Sequence, residues 1–138
     1  MQALDNLVRI GQLKPEPADA KEFAGLLGSA KARLRDARHA QLAIESRFDL
    51  AYNAAHALAL AALRWHGYRS DKRYTVFQCT AHTLGLGPEV WRVLTLCHDR
   101  RNRAEYEGLV EVDEQLVRDL LAATDQLLAA VDTLQSLK

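Results

Sequence analysis

Residues 46–65 read SRFDLAYNAAHALALAALRW, and this stretch decides the fold. Phe48, Tyr52, Ala55, Leu58, Ala59 and Ala62 recur at three- and four-residue spacing, the period of one helix face and not of a strand. Ala and Leu, both strong helix formers, fill most of the remaining positions. The helix is expected to start at Ser46, with Asp49 three residues on as a variant capping box. It is expected to stop near Gly67, because Gly67-Tyr68-Arg69-Ser70-Asp71 reads as loop. Its small-residue face lets another helix approach closely. Arg64 interrupts the longest apolar run, which excludes a membrane span.

Outward from this helix, the same period recurs on both sides. Leu4, Leu7 and Val8 make a short N-terminal helix within residues 1–14, ended by Lys14-Pro15-Glu16-Pro17. Phe23, Leu26, Leu27, Ala30, Leu34 and Ala37 predict a long helix over about residues 18–42. Residues 73–84 predict a shorter helix closed by Gly85. Pro88 then suits the first position of the next, because its missing N–H is not needed there. That helix carries Val90, Trp91, Leu94, Cys97 and Ala104 and ends near Gly108, while Asp113 caps a last helix bearing Leu116, Leu120, Leu127 and Val131. No strand pattern competes. The expected architecture is all-α: one domain over residues 1–138, with an up-down bundle of four to five helices across 18–138 plus the short N-terminal helix.

Composition narrows the function classes. A chain of 138 residues suits one domain, and its 49% hydrophobic content is globular. Cys79 and Cys97 lack CxxC spacing or a His cluster, so free thiols are expected, with no metal and no cofactor. The N-terminus lacks the apolar core of a signal peptide, and a cytoplasmic location follows as the expectation. The net charge of zero argues against a strongly electrostatic nucleic-acid binder. Its distribution is uneven: residues 31–103 carry 13 Lys/Arg against 6 Asp/Glu, and residues 104–138 carry 2 against 8. Such a split reads as a basic surface for phosphates, as a basic face docked on an acidic one, or as solvated charge without a role. Lys31, Arg35 and Arg38 form a basic row best read as a solvated helix face.

The chemically pointed stretch is His98-Asp99-Arg100-Arg101-Asn102-Arg103-Ala104-Glu105-Tyr106. On a helix His98, Arg101, Asn102 and Glu105 share a face. A guanidinium beside a carboxamide and an imidazole can grip a phosphodiester: Arg offers a planar fork of donors, Asn orients, and His transfers protons near neutrality. The plain alternative is a solvated helix end where Asp99, Arg103 and Glu105 pair locally. Asp49, Asn53 and His56 form a second polar line on the Ala/Leu-rich helix, one turn from Tyr52. It reads as a structural His–Asp network, or as the opposite wall of a site shared with Arg101 and Asn102. His39, His66 and His82 read as packing or surface.

Phe48-Asp49-Leu50-Ala51-Tyr52-Asn53-Ala54-Ala55-His56, then Gly67-Tyr68, then Arg101-Asn102-Arg103-Ala104-Glu105-Tyr106 together resemble a HEPN domain (higher eukaryotes and prokaryotes nucleotide-binding), over about residues 20–135. The resemblance implies a four-to-five-helix bundle and a homodimer whose Arg-Asn helices meet at a shared cleft. It implies RNA or nucleotide binding and, in nuclease members, metal-independent RNA cleavage by an Arg-x4–6-His motif. It also implies pairing with small nucleotidyltransferases in toxin–antitoxin modules. Arg101 matches the motif Arg and Asn102 the polar residue after it, but Tyr106 stands where the His would fall. A phenol with an ordinary pKa near 10 is a poor general base at neutral pH. The reading is therefore a dimeric domain that grips a nucleotide, an RNA phosphate or a partner protein through Arg100, Arg101 and Asn102, with Asp49, Asn53 and His56 opposite. A metal-independent RNase using His98 or His56 with Tyr106, and a purely structural dimerisation domain, are the alternatives.

Overall fold

The computed structural model describes residues 1–108 and 111–136. The last two residues of the expected domain, and Leu109 and Val110 within its acidic 105–114 segment, lie outside the described residues. The chain runs α1 (Gln2–Arg9), β1 (Lys14–Pro15), α2 (Ala20–Ala37), α3 (Ile44–Trp65), β2 (Tyr68–Arg69), α4 (Arg73–Gln78), α5 (Thr80–Thr83), α6 (Pro88–Glu107) and α7 (Glu114–Ser136). It is an all-α bundle, and α3 is its axis, packed against α2, α7, α4, α5 and α6.

The expected stripe of α3 is buried, and so are Ala51, Ala54, Ala57, Ala61 and Leu63 around the rest of the helix. A helix apolar on nearly all sides belongs at the centre. Its start differs from expectation. Ile44 opens it and Ala43 caps it without a side-chain hydrogen bond. Tertiary contacts hold this end instead. Arg47 Nε donates to the Ala37 carbonyl at 3.0 Å, and its guanidinium pairs with Glu114 at 3.2 Å. Asp49 is therefore free of capping duty. The same Arg47 contact receives the end of α2, which stops at Ala37 and not at 42.

The segment 73–84 is two short helices broken at Cys79. The Thr80 and Thr83 hydroxyls donate to the Phe77 and Cys79 carbonyls at 2.7 and 3.2 Å, the back-bonding that bends helices. Pro88 takes the first turn of α6, Gly108 closes it in the left-handed region at φ 75°, and Asp113 Oδ1 accepts from Leu116 N at 2.8 Å to cap α7.

A small antiparallel pairing, Lys14 with Arg69 and Pro15 with Tyr68, corrects the expectation of no strand and places β2 in the stretch read as loop. Its cause is Arg64, which is only 2% exposed. Arg64 donates to the Glu16, Pro17 and Tyr68 carbonyls at 2.8, 2.7 and 3.3 Å, and to Glu22 Oε1 at 2.6 Å. A buried guanidinium needs such acceptors, so it draws the 14–17 segment and β2 onto α3. Arg69 adds bonds to Glu16 at 2.8 Å and to Glu22.

Part of the uneven charge is paired between the two segments that carry it. Lys31 on α2 and Arg38 just after it pair with Asp132 and Asp125 on α7, at 3.6 and 2.5 Å. Half-exposed pairs of this kind are worth about 0–1 kcal/mol each.

Candidate functional site

Two long helices and the first residue of α4 build the polar cluster. The last turns of α6 carry His98, Arg101 and Asn102, and the first half of α3 carries Asp49, Tyr52 and Asn53. Arg101 Nη1 lies 3.1 Å from Asp49 Oδ1. That oxygen is buried, yet no N–H is aligned on it as a hydrogen bond. The pair is thus a Coulomb contact with poor directionality, between side chains 34% and 45% exposed.

His98 is the hub. Its Nδ1 is 3.1 Å from the Tyr52 hydroxyl and its Nε2 is 3.1 Å from Asn102 Nδ2. With the carboxamide nitrogen donating to Nε2, the neutral ring carries its proton on Nδ1 and donates it to Tyr52. Tyr74 and Phe77 flank the imidazole at centroid distances of 5.8 and 6.4 Å. Burial pushes the Tyr52 phenol above its ordinary pKa of 10, against the pull of Arg73 and Arg101, so it stays protonated at neutral pH.

Arg73 completes the cluster. Its Nη1 donates to Asn53 Oδ1 at 3.0 Å, and its guanidinium lies over the Tyr52 ring, 5.4 Å from the centroid. Asn53 Nδ2 in turn donates to the Asp49 carbonyl at 2.9 Å. His56 packs edge-on to Phe77 at 5.8 Å and has no hydrogen bond to Asp49 among the described residues. Burial foremost, then Arg73 and His98, lowers its pKa to about 4. At neutral pH it is an uncharged packing group.

The structure therefore brings Asp49, Asn53, His98, Arg101 and Asn102 together across α3 and α6. It sets Arg100 and Tyr106 apart, and leaves His56 at the edge of the cluster, on the Phe77 ring that also meets His98. Arg100 donates to the Glu111 carbonyl instead. Tyr106 projects from the end of α6 at 90% exposure. His56 lies on the packed side, beside Phe77. Among the described residues Asp99, Arg103 and Glu105 form no ion pair with one another, and Glu105 is exposed. Arg73 was missed in the sequence. It carries no local signal, because its partner Asn53 lies 20 residues earlier in the chain.

A cavity of about 480 Å³ lies elsewhere, between α1, α4, α5 and the start of α6, with Leu7, Gln12, Thr75, His82 and Trp91 on its walls. No candidate residue lines it. Cys79 and Cys97 are free and buried, and burial raises their thiols to about 11 and 12, so neither is a nucleophile. Among the described residues no three His, Cys, Asp or Glu side chains gather as a metal group, and no helix is long and apolar enough to cross a membrane. No family model, curated protein or solved structure matches the chain.

Proposed function

We propose that this chain is a HEPN-like, homodimeric domain of the cytoplasm that binds a phosphate-bearing ligand, RNA or a nucleotide, through Arg101 and Asn102. One observation carries the reading: among the described residues Arg101 has a single, poorly aligned carboxylate partner, and it is one-third exposed, beside an exposed carboxamide. A guanidinium has five N–H donors, and the unused ones match phosphate oxygens. His98 supports binding over turnover, because both ring nitrogens are engaged in holding Tyr52 and Asn102. Tyr106 is 90% exposed, and an exposed phenol ring supports the reading because such a ring can stack on a base. The family resemblance adds a small nucleotidyltransferase as the expected protein partner.

Fluorescence anisotropy with labelled single-stranded RNA, without metal, tests the reading. Binding that weakens with salt and disappears in Arg101→Ala is the expected result. Metal-independent cleavage lost in the same variant would replace binding with RNase activity. Absence of both would favour a purely structural dimerisation domain. A strict monomer in sedimentation at micromolar concentration would remove the shared cleft.

A further inference from the structure

Asp49 and Asn53 stand one turn apart on α3, about 6 Å along the axis, and each holds an arginine from a different helix. Asp49 meets Arg101 of α6 and Asn53 meets Arg73 of α4. Both guanidiniums act on the Tyr52 phenol between them, each favouring its ionised form. Asp49 is the one carboxylate within this group of contacts, and it meets Arg101, while Arg73 meets a neutral carboxamide. The pair is thus left with net positive charge, and each guanidinium keeps donors that no protein group uses among the described residues.

We infer that the site takes a ligand carrying two phosphate groups, with Arg101 on one and Arg73 on the other. The inference rests on the phosphate-binding reading of Arg101 and adds the ligand class and the second grip. One guanidinium fork engages two oxygens of a phosphate, and the forks of Arg101 and Arg73 are held at separate residues of α3, Asp49 and Asn53. Two linked phosphates engage both forks at once, and the second contact forms at the high effective concentration of a tethered group. The shared chemistry is a diphosphate chain, as in a nucleotide, or two successive phosphates across a ribose, as in RNA.

Amide chemical-shift titrations with inorganic phosphate, pyrophosphate and a nucleoside 3′,5′-bisphosphate at equal ionic strength provide the test. At least one two-phosphate ligand half-saturates the Asn53 and Asn102 signals at a concentration about tenfold or more below that of phosphate, the worth of one extra charged hydrogen bond. Arg73→Gln brings that ligand back to the phosphate value and leaves phosphate itself unchanged. Asn53→Ala, which frees Arg73 from α3, acts in the same direction. The tighter of the two ligands identifies the source, pyrophosphate for nucleotide chains and the bisphosphate for RNA. Equal affinity for one and two phosphates, or an Arg73→Gln protein that binds as wild type while Arg101→Gln does not, would overturn the two-phosphate site and leave phosphate binding standing. If Arg101→Gln changes no titration, both fall.

Discussion

Arg64 and Arg101 are the same residue type on two long helices, each beside a carboxylate, yet the fold treats them oppositely. Every nitrogen of Arg64 has a partner: Glu22, the Glu16 side chain, and the carbonyls of Glu16, Pro17 and Tyr68. It is sealed at 2% exposure. Arg101 meets one carboxylate without alignment and stays 34% exposed. A guanidinium whose donors are all spent fixes structure, and one with donors to spare is available to an anion. The difference separates the scaffold of the bundle from its candidate site.

The largest effect should come from Arg64. Replacing it with Met leaves the Glu16, Pro17 and Tyr68 carbonyls without their donor and the Glu16 and Glu22 carboxylates with Arg69 alone. A buried acceptor left unsatisfied costs about 1–3 kcal/mol. Urea unfolding measures this; a loss under about 1 kcal/mol would erase the contrast with Arg101. Next is Tyr52→Phe, which deletes the hydroxyl that meets His98 Nδ1 and should cost about 0.5–1.5 kcal/mol. An unchanged His98 imidazole resonance in that variant would show that the hub is not coupled to α3.

The two regions also respond to acid in different windows. His56 stays neutral in the folded chain down to about pH 4, whereas the unfolded chain takes a proton near its ordinary value of 6.5. Stability is therefore lost as pH falls from 6.5 to 4, and His56→Gln should flatten that slope. Glu22 is held below its ordinary value of 4.5, by hydrogen bonds from Arg69 first and Arg64 second. Its contribution is complete above 4.5 and lost as pH falls below, and Glu22→Gln should remove that lower limb only. Melting curves across pH 3–7 separate the two; a single slope affected by both variants would contradict separate networks. The smallest effect belongs to Arg101 itself. Its partly exposed pair with Asp49 should be worth about 1 kcal/mol or less, so Arg101→Gln should melt close to wild type.

The helices were legible because they depend on local pattern. The α3 stripe, Pro88 at the start of α6, Gly108 at its end and Asp113 before α7 each signal through neighbours in sequence. What escaped were long-range contacts. Arg64 reads in sequence as a charge interrupting an apolar run, and its acceptors lie 42–48 residues earlier at Glu22, Pro17 and Glu16. The strand pairing of β1 with β2 follows from that contact and has no pattern of its own. In the site, Arg101 and Asn102 stood out by residue type and spacing, but Arg73 is joined to Asn53 across 20 residues and a turn. Its role appears only once α4 packs beside α3.

The most direct measurement is the affinity of wild type, Arg101→Gln and Arg64→Lys for a labelled single-stranded RNA without metal, each checked for folding by its melt. The account expects Arg101→Gln to fold normally and bind about tenfold or more weakly, and Arg64→Lys to be destabilised yet keep wild-type affinity while folded. Undiminished binding in a folded Arg101→Gln protein would contradict the assignment of Arg101 as the anion grip.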